Sequence, residues 1–424
     1  MKLTTTLVGA SLAALTALTA VADTPKPAAR TLTLTTKSEA AAAQLRELQR
    51  RIESYQFGPA TQEQARKIVE LDPDFALGQY YLSAVTPPPE GPKLLEKSAA
   101  LAKGASEGER RFVEAMVLAR GANPEQAIEP LKKLADDYPG ERPLLMILGQ
   151  TYAQLGRQEE ARAAYEKAIA LDGSTPRAYA LVGNYHLLSG DYAKAREMYR
   201  LARTRIPPRV APGAIAYSTA YTHLYEGQPD EAIKVLRDYA AEYKDTDNAA
   251  SQPEVFIWNS IARINLEHGR YPEALAAYEK GFQSVPGSKL AEQDKQIWLG
   301  RLHHGRGRTL ARMGKHEEAW KEAQTIRKMI DEGGERGKQF EPSYHYLAGY
   351  LKLEEGDYAA AIEHLKQAEP TRDPFRDLLL ARAYEKAGDK ENARKTYLEV
   401  VNSKQNNLER ALSYPEAKKK LATL

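Results

Sequence analysis

The sequence predicts an all-α protein built from repeated pairs of antiparallel helices. Three observations predict it. Helical periodicity runs through almost all of the 424 residues after position 37. Seven glycines, Gly156, Gly190, Gly227, Gly269, Gly314, Gly356 and Gly388, each stand five residues before an alanine: Ala161, Ala195, Ala232, Ala274, Ala319, Ala361 and Ala393. Each also stands seven residues after a glycine or alanine: Gly149, Gly183, Ala220, Ala262, Gly307, Gly349 and Ala381.

Each offset has a physical reason. A small residue in the first helix of a pair lets the second approach closely. The glycine ends the first helix, where a left-handed backbone is often needed. The later alanine marks the crossing, where a larger side chain would force the helices apart. Four residues on comes Tyr165, Tyr199, Leu236, Tyr278, Ala323, Leu365 or Tyr397, expected to fill the space against the next pair. Pro139, Pro207 and Pro286 fall near repeat ends, where they stop the second helix.

On these residues the chain resembles tetratricopeptide repeat (TPR) proteins, whose unit is a helix pair of about 34 residues. "LGQTYAQLGRQEEARAAYEKAIALD" (148–172) and "WNSIARINLEHGRYPEALAAYEKGFQSVP" (258–286) carry the resemblance most fully. It implies an α-solenoid, a right-handed superhelix whose concave surface is lined by the first helix of each pair. It also implies that a peptide or protein is held there.

Taken in order, the segments are these. Lys2, the apolar run "LVGASLAALTALTA" (7–20) and the small residues Ala20 to Ala22 read as an export signal over 1–22, too short for a spanning helix. A periplasmic or secreted location is expected. Residues 23–37, rich in Thr, Pro and Ala, read as a flexible leader. Thr36 and Glu39 have the spacing of a capping box at the first helix. Residues 38–107 read as degenerate helical repeats. Within them, 63–84 spans the second helix of one unit and the first of the next. The repeat array proper covers 108–407. Its glycine spacing starts at 34 and stretches to 37, 42, 45 and 42 before falling to 32, so extended helices or loops are expected in its middle. Residues 408–424 should be a polar capping helix, which solenoids need at their ends.

Composition excludes several functions. Sixty basic and 57 acidic residues leave a net charge of +3, too small for general attraction to nucleic acid or anionic lipid. There is no cysteine, which removes disulfides, thiolate metal sites and a cysteine nucleophile. No G-x-S-x-G elbow or H-E-x-x-H motif occurs. "GGERGK" (333–338) is not a phosphate loop, because Gln339 stands where Ser or Thr must hold magnesium. The sequence therefore points to no catalytic residue, no metal and no cofactor.

"LGRLHHGRGRTLARMG" (299–314) looks at first like a metal or phosphate site. In the repeat frame it is a first helix, extended backwards toward 291–298. Adjacent helical residues point about 100° apart, so His303 and His304 do not easily share one ion. Arg301, His304, Arg308 and Arg312 recur at intervals of three, four and four and share one face. The family geometry places that face in the groove, together with Asn184, Tyr217, Tyr221, Tyr225, Phe256, Asn259, Arg263, Tyr346 and Tyr350. Arginine pairs carboxylates bidentately, and tyrosine offers a rigid surface with a polar tip. The expected ligand is thus an acidic or C-terminal-carboxylate peptide. The alternative is that these arginines pair with Glu267 or other groove carboxylates while the tyrosines only pack. The favoured reading is a non-catalytic interaction scaffold of the cell envelope. A glycan- or peptidoglycan-binding accessory is second, and the sensor of a regulator third.

Overall fold

The computed structural model describes residues 30–246, 254–368 and 373–424, which hold helices and no strand. The helices pair in sequence: α1 (Glu39–Glu53) with α2 (Pro59–Leu71), α3 (Ala76–Val85) with α4 (Glu90–Ala102), and α5 (Glu107–Ala119) with α6 (Ile128–Asp137). Next come α7 (Arg142–Gln154) with α8 (Gln158–Leu171), α9 (Pro176–Ser189) with α10 (Tyr192–Arg203), and α11 (Gly213–Tyr225) with α12 (Pro229–Tyr243). Then α13 (Val255–Glu267) pairs with α14 (Tyr271–Gln283), and α15 (Glu292–Arg312) with α16 (His316–Glu332). After a single turn, α17 (Gly334–Gly337), α18 (Glu341–Glu355) pairs with α19 (Tyr358–Gln367), and α20 (Pro374–Lys386) with α21 (Lys390–Asn402). A last helix, α22 (Leu408–Leu421), packs against α21. The fold is a tetratricopeptide-repeat α-solenoid.

The recurring offsets do what their chemistry requires. All seven first-helix glycines have φ between +73° and +88°, the left-handed turn that closes the helix and releases the chain into its partner. All seven later alanines are 0–2% exposed. A Cβ added at Gly149 would lie 2.4 Å from the Tyr165 ring, and one at Gly183 would lie 2.6 Å from the Tyr199 ring. These tyrosines therefore press onto the small residue of their own unit rather than onto the next pair, and Leu365 does the same at Gly349. Tyr278 follows the original expectation instead: its ring covers Gly305 of the next first helix, where a Cβ would lie 2.4 Å away. Gly305 and Gly307 lower helix propensity by about 1 kcal/mol each relative to alanine. The close packing of Tyr278 on the first and Leu347 on the second offsets that loss.

The stretched middle of the array has a simple basis. Helix α15 has 21 residues and α16 has 17, against 13 for α13 and α14. The extra length of α15 lies at its N-terminal end, over 292–298.

The front of the chain departs from expectation at two points. The N-cap of α1 is Ser38, whose side chain accepts from Ala41 N–H, not Thr36. Thr36 instead donates to Asp72 at 2.6 Å. The expected flexible leader is docked from its eighth residue onward; residues 1–29, with the expected export signal, lie outside the described residues. Residues 30–37 run extended, with Leu32 and Leu34 turned inward and Thr31, Thr33 and Thr35 outward. Leu32 N–H donates to Glu141 and Thr35 N–H to Glu109, both at 2.7 Å. Glu109 is fully buried and also accepts from Leu77 N–H at 3.0 Å. One carboxylate thus ties the leader, α3 and α5 together.

Gly183→Ala should destabilise the protein by about 1–3 kcal/mol through overpacking against Tyr199. Gly300→Ala, where a Cβ would meet only Met329 at 3.9 Å, should be neutral or stabilising by about 1 kcal/mol. Urea-denaturation midpoints of the two variants check the contrast.

Candidate functional site: the inner face of the array

The inner face is defined by what touches it. Helix α22 contacts α11 and α20, first helices four units apart, and also reaches α13. One helix can do this only if the array curls so that these faces look into a common trough. Helix α22 lies in that trough and is not simply a polar cap on the end of the stack. Its Leu408 and Ala411 join the apolar cluster of α9 to α15, and its Ala417 joins that of α18 to α21.

The polar contacts are equally specific. Ahead of the helix, Asn406 donates to Asn184 at 3.1 Å and to Ser218 at 2.8 Å. Asn407 caps α22 by accepting from Arg410 N–H at 2.9 Å. Glu409 pairs with Arg263. Arg410 donates to the Tyr225 hydroxyl at 2.7 Å and lies over the Tyr414 ring, which meets Tyr225 edge-on. Further along, Glu416 receives two bonds from Arg382 at 2.7 and 2.5 Å, and Lys420 pairs with Glu385 at 2.7 Å.

Electrostatics set these pairs. Burial pushes the Glu409 carboxyl up, and the Arg263 guanidinium outweighs it, so the group is held below the usual carboxylate value. Glu416 behaves in the same way beside Arg382. Asp373, near Arg263 and Glu409, is pushed up chiefly by burial. His304 is held well below the usual imidazole value, first by burial and then by Arg308, Arg263 and Arg301. It is neutral at pH 7.

The thirteen residues picked from the sequence fall into distinct places. Asn184, Tyr221, Tyr225 and Arg263 meet α22 or pack in the cluster it enters, and Tyr217 stacks on Tyr221 at 6.3 Å. Phe256 is 49% exposed and meets the buried Trp298 edge-on, while Asn259 is half-buried beside it on α13. Arg301 is exposed and lies 4.5 Å over the same Trp298 ring. His304 is buried with its ring edge-on to the half-buried Tyr346 at 5.2 Å. Arg308 is buried and donates to the Tyr278 hydroxyl at 3.3 Å. Arg312 reaches the fully buried Tyr350 at 3.4 Å, Glu267 at 3.5 Å and Glu354 at 3.8 Å. Arg263 and Arg312 thus already hold carboxylates of the chain itself.

The adjacent histidines part company: His303 bonds Glu322 at 2.5 Å, away from the His304–Tyr346 contact. Among the described residues no three His, Asp or Glu side chains gather so as to hold a metal ion. No described helix is long and apolar enough to cross a membrane.

Sequence reasoning missed Arg382, Asn406, Glu409, Arg410, Tyr414 and Glu416. The signal available was the seven-residue spacing of Glu409 and Glu416, which puts two carboxylates on one face of the last helix.

The N-terminal stretch of the inner face is open. A trough of about 450 Å³ lies there, lined by Ile52, Phe57, Tyr80, Tyr81, Met146 and Arg177 among others. Phe57 is 48% exposed. Gln49 donates to the Tyr81 hydroxyl at 2.9 Å, which fixes that ring in the wall.

The array is thus a helical-repeat scaffold with a concave inner face. The chain contains tetratricopeptide repeats: a family model described as "TPR repeat" matches residues 149–190, and two described as "Tetratricopeptide repeat" match 217–288 and 352–413. Similar solved structures include a tetratricopeptide repeat protein from Parabacteroides merdae, at 17% identity over 65% of this chain and 98% of that one, with a TM-score of 0.47. PilW, a type IV pilus biogenesis factor, is 14% identical over 55% of this chain and 99% of its own, with a TM-score of 0.40. YrrB, described as a TPR protein with an unusual peptide-binding site, is 16% identical over 56% and 97%, with a TM-score of 0.33. No curated protein matches the chain.

His304 supplies a pH test. Its folded-state value is depressed, so its contribution to stability is present above the ordinary imidazole value of 6.5 and is lost as pH falls through the folded one. Stability should therefore fall below pH 6.5, by up to about 1.4 kcal/mol per pH unit. His304→Gln should remove that part of the slope. Urea midpoints at pH 7.5 and 5.5 measure both.

Proposed function

We propose that the chain is a non-catalytic scaffold that holds a peptide or protein segment along its inner face. The observation that carries this reading is α22 itself. A 14-residue helix is seated there by apolar contacts, ion pairs and aromatic edges, so the face has the shape and chemistry to take a chain segment. Tetratricopeptide repeats commonly serve as interaction modules, which supports the reading. The open N-terminal trough is the natural place for a ligand that enters without moving α22. Its aromatic walls suit an apolar side chain, and Arg177 suits a carboxylate.

We place the protein in the cell envelope. The support is the export signal read over 1–22, with Lys2, an apolar run and small residues before Asp23. N-terminal sequencing of the mature protein from fractionated cells should begin at Asp23, and material retained with residue 1 in the cytosol would refute the placement.

The interaction reading is tested by quantitative affinity capture from envelope extract, comparing wild type with the Phe57→Ala/Arg177→Glu double variant. Phe57 is 48% exposed and Arg177 is half-buried on the trough wall, and the variant's urea midpoint checks that it folds, whereas Arg308→Glu would bury a carboxylate beside Tyr278. A protein partner recovered at least tenfold less with the variant supports the scaffold. Equal recovery, or a bound glycan with no protein, counts against it.

A further inference from the structure

The inner face holds a helix that fits it incompletely. Arg263 is 8% exposed and pairs with Glu409 through Nη1 alone; its Nε and Nη2 have no hydrogen-bond partner among the described residues. Nearby, Arg308 Nε and Tyr346 Oη are buried and equally without partners. Three donor side chains thus face one region beside α22 with more capacity than α22 satisfies. A planar guanidinium is built to hold a carboxylate by two parallel bonds, and here it uses one.

The helix is also poorly suited to stand by itself. Pro415 lies in its interior, where it removes the bond to the Ala411 carbonyl and clashes with that group. The connection from α21, residues 403–406, is irregular, and its sequence "SKQN" is polar. What orders α22 is the trough rather than its own propensity.

Its charge pattern defines what the trough accepts. Glu409 and Glu416 are seven residues apart, so they share a face two turns apart. They are the only carboxylates within ion-pair distance of Arg263 and Arg382 among the described residues. Leu408, Ala411 and Ala417 fill the apolar clusters between them. Without α22, Arg263 and Arg382 would lose the carboxylates they pair with, and Asp373 would be left near Arg263. Two arginines freed of their carboxylates give the vacated trough a preference for an acidic occupant.

We propose that α22 is a resident stand-in for a partner helix that carries two carboxylates two turns apart and displaces it. The proposal rests on the scaffold reading above and names the partner class for the middle of the inner face. The partner helix sets one carboxylate on Arg263 and the other on Arg382, with a leucine-sized side chain before the first and small residues between. It engages Arg263 bidentately and brings acceptors to Arg308 and Tyr346. The tether holds α22 at an effective concentration in the millimolar range, so only a matched helix competes and acidic peptides at large do not.

The test uses the full chain. The probe is a labelled synthetic peptide of residues 406–424 with Pro415→Ala, which keeps both glutamates and improves helicity. Fluorescence anisotropy measures its binding to wild type and to the Glu409→Lys/Glu416→Lys double variant, whose own α22 is repelled. We expect at least tenfold tighter binding to the variant, and no binding to either protein by a probe with both glutamates changed to lysine. Hydrogen exchange on wild type needs no variant. Amides of 408–424 should exchange at least tenfold faster than those of α13, and faster still with saturating probe. Equal affinity for both proteins, binding of the lysine probe, or protection of 408–424 equal to α13 would overturn the proposal. So would a wild-type dimer that exchanges α22 between copies, since the occupant would then be a second copy. The capture experiment at Phe57 and Arg177 reads a different part of the trough, so the scaffold reading can survive this failure.

Discussion

Close approach of paired helices at small side chains is the constraint on which this molecule depends. At Gly149 and Gly183 the tyrosine of the second helix lies where a Cβ would stand. The two helices of a unit thereby lock through a ring set on bare backbone. Close approach at the small residues of the other units, with Leu365 in the ring's place on Gly349, sets the angle between units and so the curl of the array. The curl brings α11 and α20 to face one space. The inner face, its arginines and tyrosines, and the helix lying on it all follow from that geometry.

The repeat was legible because its contacts are local. Gly156 and Ala161, or Gly183 and Tyr199, lie within one unit, and their offsets recur wherever the same contact is made. The direction of the tyrosines was less legible. Tyr165 and Tyr278 occupy equivalent positions, yet one packs backward and the other forward. The difference follows the glycines: Tyr165 has Gly149 in its own unit, whereas the unit of Tyr278 has Ala262 at that place and the next helix offers Gly305. The leader was misjudged because its stability comes from the distant Glu109 and Glu141, not from its own composition.

The inner face was half legible. The stripe Arg301, His304, Arg308 and Arg312 does lie on one side of α15, but spacing says nothing of exposure. Arg308 is buried against Tyr278 while Arg301 remains exposed over Trp298. Nor could spacing show that Glu409, 146 residues away, supplies the counter-charge for Arg263, or that Asn406 reaches Asn184 across 222 residues. Such pairings depend on the summed curl of several units, and no periodicity encodes that sum. Charge composition hid them too, because a net charge of +3 is a sum in which paired charges cancel.

Both ends of the array are fastened to its interior. Glu53 at the end of α1 pairs with Arg142 of α7, and α22 is clasped to α11, α13 and α20. Solenoids open at both ends extend like springs when pulled. Here a load on either terminus meets side-chain clasps in shear before it reaches any unit-to-unit joint. The coil should therefore be mechanically stiff at small extension, and yield in discrete steps as each clasp lets go.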